Sequence, residues 1–326
     1  MDAGQTQDML TAALAALYGG DARLERWTAN DGFTAYGKRR VVRYDLDARV
    51  GAEPARHYQW LGKFYERDED ARRVAGVLRE LGAAAAASAR GGPAVPGVVA
   101  YHAPERLLLL TYEPGEPVAS AIGQAGEAVV AAMGRALAAL HAAPITLGPT
   151  ISAATVLADL RPRVEELYGR FPGETAALER AVTALERSAP PPPPSSCFVH
   201  GDFGPANLLW RMGQVVVLDF DKCTQGDPAI DLGNLLAQLF RMSLRKPDRL
   251  RDFAAARTGL LAAYRRWSPP DPGLPARVAW YERATVLRKI HRLAFNTTRH
   301  PGPEGSSQRQ AEAVRLLEVG TRSGHA

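Results

Sequence analysis

Two cysteines, Cys197 and Cys223, are all that the 326 residues contain. Two isolated thiols cannot staple a fold of this length, and the dispersed histidines add no metal-ligand spacing to them. A reducing, cytoplasmic setting is the expectation. No run approaches the roughly 18 to 20 apolar residues that cross a bilayer. The opening MDAGQTQDML carries acids where a secretory signal has a basic region. Lysine and arginine never gather into a block: 40 of them against 35 acids leave a formal net charge of +5, which suits solubility and not a nucleic-acid arm. A G-x-G-x-x-G loop and internal repeats are also missing. Nucleic acid and membrane are therefore not expected partners, and the chain carries no signal for its oligomeric state.

The residues that are there, 46% of them hydrophobic, can build a substantial core in one large domain or two lobes. A first helix is predicted over Asp8–Tyr18, closed by Gly19-Gly20. Three β-rich runs follow, Leu24–Thr28, Arg40–Leu46 and His57–Tyr65, with the pattern of an antiparallel meander. An acidic turn, Glu66–Asp70, leads into a helix over Ala71–Leu81, where Val74, Val77, Leu78 and Leu81 recur at helical spacing. The alanines 83–87 extend it. Two more strands, Val98–His102 and Leu107–Tyr112, precede the stiff link EPGEP.

Beyond that link long helices dominate, over Gly126–His141 and Val156–Leu185. A polyproline stretch, Pro190–Pro194, is stiff and extended. Gln214–Phe220 reads as a buried strand, and helices return from Ile230, with loops at Ser268–Pro275 and Arg299–Ser307. The expected organisation is α+β: an N-terminal β lobe (1–112), a hinge (113–117) and a larger helical lobe (118–326).

Inside the helical part, "FVHGDFGPANLLW" sets His200, Asp202 and Asn207 between two apolar segments. A loop holding a carboxylate and, five residues on, an amide can orient an acceptor hydroxyl and ligate a metal. Asp219 ends the apolar run "VVVLD", where a carboxylate suits a hard cation such as Mg2+. Asp231 in "GDPAIDLGNLL" begins a helical segment and can brace the loop from below, whereas Asp227 reads as a loop-capping acid. His141 reads as a structural residue at a helix end.

With "LLLLTYEPGEPV" and "LAALHAAP", the two stretches "VHGDFGPANLLW" and "VVLDFDKCTQGDPAIDL" give the chain a clear likeness. It resembles the aminoglycoside phosphotransferase and choline kinase superfamily, the small-molecule branch of the protein-kinase-like two-lobe fold, over about residues 25–300. The resemblance implies an ATP- and Mg2+-dependent transfer of the γ-phosphate to a hydroxyl. In it, Asp202 matches the catalytic base, Asn207 and Asp219 match the Mg2+ ligands, His200 supports the metal-binding loop and Asp231 holds the loop backbone. Asp221 stands where protein kinases have the Gly of D-F-G.

At the nucleotide end, Lys63 lies on a strand just before a helix, where kinases place the phosphate-pairing lysine. Arg43 is the alternative, and Asp70, Glu69 or Glu80 is the acid that would pair with Lys63. The resemblance puts adenine against the Thr111 carbonyl and the Glu113 amide, with Asn30–Gly37 as the phosphate-covering loop. Only a short link separates Asp219 from "GDPAIDL", too short for an activation loop ending in A-P-E, so a protein substrate is not expected. The implied acceptor is a small hydroxylated molecule: an antibiotic of aminoglycoside type, an amino alcohol or a sugar. The basic net charge disfavours a polycation, although Glu165, Glu166 and Glu174 could supply local acids. Two other readings stay open, a catalytically silent nucleotide-binding module and a metal-dependent hydrolase using His200 and Asp202.

Overall fold

Asp2 opens the first helix. Its carboxylate accepts the Gln5 N–H at 2.8 Å while the Gln5 side chain accepts the Asp2 N–H at 2.9 Å, a reciprocal cap. That cap starts α1 (Ala3–Tyr18) well ahead of the predicted Asp8. The computed structural model describes residues 2–31, 40–87, 92–148, 150–295 and 303–322. Most of the Asn30–Gly37 loop and the first part of the Arg299–Ser307 loop lie outside the described residues. The chain divides into two units, Met1–Gly115 and Glu116–Ala326.

In the first unit, β1 (Ala22–Asn30), β2 (Val41–Val50) and β3 (Arg56–Phe64) form the predicted meander, followed by α2 (Asp68–Ala87), β4 (Val98–His102) and β5 (Leu107–Thr111). The five strands make one antiparallel sheet in the order β1-β2-β3-β5-β4. Alternation along β2 sends Val42, Tyr44, Leu46 and Ala48 into a core shared with Met9, Leu10 and Leu14 of α1. Trp60, Leu107 and Leu109 complete that face. Gly62 lies under the Tyr44 ring, where an added Cβ would sit 2.7 Å from the ring edge. Helix α2 buries the predicted Val74, Val77, Leu78 and Leu81.

The second unit opens with β6 (Glu116–Pro117), α3 (Val118–His141) and β7 (Thr150–Ile151). Helix α3 begins ahead of the predicted Gly126 because two helical pieces join across Ala125, whose φ of −126° bends the axis. The predicted single helix over Val156–Leu185 is two, α4 (Ala153–Arg170) and α5 (Thr175–Arg187). Pro172-Gly173 forces the break, with a 3-10 turn over Pro172–Glu174 between them.

Then come β8 (Cys197–Val199), β9 (Leu208–Arg211), β10 (Gln214–Val217), β11 (Thr224–Gly226), α6 (Ala229–Arg245), α7 (Phe253–Arg265), α8 (Leu274–Phe295) and α9 (Pro303–Arg322). Pro275 belongs to the first turn of α8 and not to the preceding loop, a position that tolerates proline. Two small sheets, β10-β9-β6 and β7-β11-β8, hold the polar segments among the helices. Helix α6 packs closely on α8: a Cβ at Gly233 would sit 2.7 Å from the Glu282 amide nitrogen. Among the described residues no helix is long and apolar enough to cross a membrane.

Candidate active site

Phe198 and Val199 are fully buried in β8 and anchor the start of the polar loop. At Gly201 the backbone turns left-handed, with φ +76°, and a Cβ there would run into the Lys222 carbonyl. Glycine is required on both counts. A 3-10 turn over Pro205–Asn207 returns the chain to β9. Met212 and Gly213, both at positive φ (49° and 82°), make the tight turn into β10 that suits the strand twist.

Asp231 holds this loop from beneath. It has no exposed surface and accepts the backbone N–H of His200 at 2.6 Å and of Gly201 at 2.8 Å. His141, also buried, donates its Nε2–H to Asp231 Oδ2 at 3.2 Å, and the Tyr264 hydroxyl donates to His141 Nδ1 at 2.9 Å. Burial works to raise the pKa of Asp231, yet the His141 contact, His200 and the backbone donors outweigh it and hold the carboxyl below its usual range. Burial pushes the Tyr264 phenol up, so it stays a donor.

His200 is equally buried and has both ring nitrogens engaged. Nδ1 accepts the Asp202 N–H at 3.2 Å, and Nε2–H donates to the Leu218 carbonyl at 2.9 Å. Its ring lies 4.8 Å from that of Phe220 and edge-on to Phe203 at 5.8 Å. The imidazole therefore ties the Asp202 loop to the segment that carries Asp219, and both nitrogens are spent on the backbone.

That second segment departs from the predicted strand Gln214–Phe220. The strand ends at Val217; the Leu218 N–H still donates to the Asn207 carbonyl at 2.9 Å, in register with the β9–β10 pairing, and the chain leaves strand geometry at the next residue. Asp219 then takes a left-handed conformation (φ 64°, ψ 71°), which aspartate tolerates better than most residues. The same bond brings Asn207 beside the Asp219 segment. Asn207 commits its Nδ2 to the Asp202 carbonyl at 3.0 Å, leaving the amide oxygen as the atom a cation would use. Asp219 is exposed. Two hard oxygen donors on adjoining segments fit a Mg2+ ion that fills its remaining positions with water and phosphate oxygens. Among the described residues no group of three or more His, Cys, Asp or Glu forms a closed metal cage.

Asp202 is half-buried, and Lys222 Nζ donates to its Oδ2 at 2.7 Å. Burial raises the Asp202 pKa, but Lys222, Lys289 and His200 together hold it below the ordinary carboxylate value. Lys289, half-buried on α8, is pulled down to about 8, mostly by burial; Asp202 raises it, and Arg292, Arg241 and Lys222 lower it further. A cationic surround thus faces the candidate base. Asn234 and Gln238 of α6 donate to the Phe203 carbonyl at 3.0 and 3.4 Å. Asp227 caps the start of α6 through the Ala229 N–H at 2.9 Å and pairs with the buried Arg277 at 2.8 Å, as a structural acid.

Lys222, Lys289, Asn234 and Gln238 escaped the sequence reading. For the last two a signal existed. Asp231, Asn234 and Gln238 form a polar line at helical spacing on a helix whose start is otherwise apolar.

In the first unit Lys63 is only 8% exposed. It lies opposite Val41 and Leu108 in the sheet register, and its Nζ is 5.6 Å from the Tyr65 ring centre. Alternation puts it on the sheet face away from Trp60 and α1. Arg43 donates to Asp45 at 3.0 Å and stacks on Tyr112. Asp70 pairs with Arg67 at 3.4 Å and Arg73 at 3.5 Å, Glu69 pairs with Arg67, and Glu80 is exposed. The Thr111 hydroxyl donates to Glu113 at 2.7 Å and accepts the Gly97 N–H at 2.8 Å, which fixes the chain leaving β5.

Solved structures share this architecture along nearly the whole chain. The macrolide 2'-phosphotransferase MphH of Brachybacterium faecium is 21% identical, with 96% of this chain and 98% of that one covered and a TM-score of 0.53. A choline/ethanolamine kinase family protein of Mesorhizobium loti is 17% identical over 97% and 95%, with a TM-score of 0.57. The amicoumacin kinase hAmiN, solved with AMP-PNP, Ca2+ and Ami, is 16% identical over 97% and 95%, with a TM-score of 0.60. These likenesses establish the α+β, protein-kinase-like fold. No curated protein sequence matches. The sequence profile of the Phosphotransferase enzyme family matches residues 43–270, a span that takes in Lys63, the Asp202 loop, Asp219 and Asp231. The chain belongs to that family.

Proposed function

We propose that the chain moves the γ-phosphate of ATP to a hydroxyl of a small molecule. One observation carries the reading: Asp202 is presented on a loop locked by His200 and Asp231, with Asn207 and Asp219 on adjoining segments. Asp202 orients the acceptor hydroxyl and takes its proton as the phosphoryl group arrives. Asn207 and Asp219 would hold Mg2+, which when bound neutralises phosphate charge. His200 and Asp231 keep the loop in place without touching the reacting atoms. In the first unit, residues 1–112 form the nucleotide lobe, Lys63 pairs with the phosphates, and the Thr111 carbonyl and Glu113 amide take the adenine edge. Residues 113–117 are the hinge, and 118–326 bind the acceptor.

The charges near Asp202 narrow the acceptor. Lys222 and Lys289 act on it, with Arg292 and the Glu312-paired Arg241 near Lys289, while Glu166 already accepts from His291 at 2.7 Å and Glu165 lies 3.7 Å from Arg161. This balance supports a neutral or anionic alcohol over a polycationic aminoglycoside.

The test is ADP release from ATP and Mg2+ across a panel of antibiotics, amino alcohols, sugars and hydroxy acids. An alcohol-dependent release is expected, with the neutral and anionic members ahead. Phosphate release at the same rate without acceptor would instead support a hydrolase. ATP binding without any turnover would support a silent module.

A further inference from the structure

The geometry points to Lys222 as a further catalytic residue, one that follows the transferring phosphoryl group with its charge while sharing the Asp202 carboxylate. The inference rests on the phosphotransferase reading above and gives a catalytic part to a residue that reading uses only as a nearby charge. The pairing of β8 with β11 sets Thr224 opposite Val199. Carried two residues on, that antiparallel register sets Lys222 opposite Gly201, and the absence of a Cβ at Gly201 lets the Lys222 backbone close against it. Lys222 is thereby fixed, by its main chain, to both polar segments. It follows Asp219 by three residues and ends the 3-10 turn over Phe220–Lys222.

Its side chain is a different matter. The ammonium donates to Asp202 Oδ2 at 2.7 Å, yet the side chain is 60% exposed. A four-carbon stem with a rotatable head can change partners without moving the backbone. Only Asp202 Oδ2 is used by Lys222, so Oδ1 can accept the acceptor hydroxyl. In the transfer the acceptor oxygen forms a bond to the γ-phosphorus, and the bond from that phosphorus to the bridging oxygen breaks to release ADP. The hydroxyl proton passes to Asp202. Once protonated, Asp202 no longer holds a cation, and the Lys222 ammonium turns to the equatorial oxygens of the phosphoryl group, whose charge must be met in the transition state. Proton and cation thus exchange places around one carboxylate.

A fluoroaluminate complex tests this without an identified acceptor, since ADP with Mg2+ and aluminium fluoride imitates the planar phosphoryl group in flight. Calorimetric affinities for ADP·Mg2+, with and without aluminium fluoride, are compared for the wild type, Lys222→Met and Lys222→Arg. The wild type is expected to bind ADP roughly 10²-fold or more tightly when fluoride is present, as transition-state analogues do. Lys222→Met is expected to bind ADP·Mg2+ unchanged and to lose most of that gain, and Lys222→Arg to keep a large part of it. An equal gain in wild type and Lys222→Met, or no gain in a wild type that binds ADP·Mg2+, overturns the role of Lys222. A wild type that fails to bind ADP·Mg2+ at all overturns the phosphotransferase reading instead.

Discussion

At the scale of single residues, the site depends on carboxylates with unequal surroundings. Asp231 is wholly buried and held below its usual pKa, so its contribution has a definite pH dependence. The stability it adds is present above the ordinary aspartate value of about 3.9. It is lost as pH falls below that value and through the depressed folded one. Asp231→Asn leaves a buried backbone donor facing the wrong group and should cost roughly 3–5 kcal/mol near neutral pH. Urea midpoints of the two proteins should converge as pH drops below about 4. A gap that persists in acid contradicts the account.

Lys289 works in the opposite sense, because its folded pKa of about 8 lies below the ordinary 10.5. Between those values the unfolded chain binds the proton more tightly, so stability rises with pH across the window. Below it, the charged lysine is a net cost. Lys289→Met should therefore raise thermal stability at pH 7 by roughly 1–3 kcal/mol. The advantage should vanish above the ordinary lysine value of 10.5. On the proposed function such a residue has a use: a destabilising cation acting on Asp202 suits the proposed neutral or anionic acceptor.

At the scale of elements, close backbone approach decides where helices meet. Gly233 on α6 faces Tyr281 and Glu282 on α8, and a Cβ would sit 2.7 Å from the Tyr281 Cβ. Gly233→Ala should cost roughly 1–3 kcal/mol, read as a lower urea midpoint with an unchanged slope. Because Asp231, Asn234 and Gln238 lie on the same helix, turnover should fall along with stability.

The elements also show what the residues alone could tell. The meander and both later strands were legible, since alternation in β2 and the tetrad Leu107–Leu110 mark buried strands without ambiguity. Helix boundaries were less so. Asp2 and Gln5 cap α1 from outside its apolar pattern, and Pro172-Gly173 was passed over because apolar spacing continues on either side of it. The spacing of His200, Asp202 and Asn207 announced a loop with chemistry. Lys222 did not announce itself, because its approach to Asp202 depends on a three-residue strand pairing that no periodicity signals.

At the scale of the whole molecule, the proposed transfer of a γ-phosphate makes ATP the ligand to test in a chain that belongs to the Phosphotransferase enzyme family. Mg2+ and ATP at about a hundred times the dissociation constant should stabilise the protein by about 2.7 kcal/mol. The shift should shrink when Asp219→Ala removes a proposed metal donor, and when Lys63→Ala removes a proposed phosphate partner. A thermal shift indifferent to both changes would place the nucleotide elsewhere.

The most direct measurement follows the γ-phosphate itself. With γ-labelled ATP, Mg2+ and the acceptor panel, the label should appear in an organic phosphate ester. Asp202→Ala should still bind ATP while turnover falls by roughly 10² to 10⁴. An Asp202→Ala variant that transfers label as fast as the wild type would contradict the account at its centre.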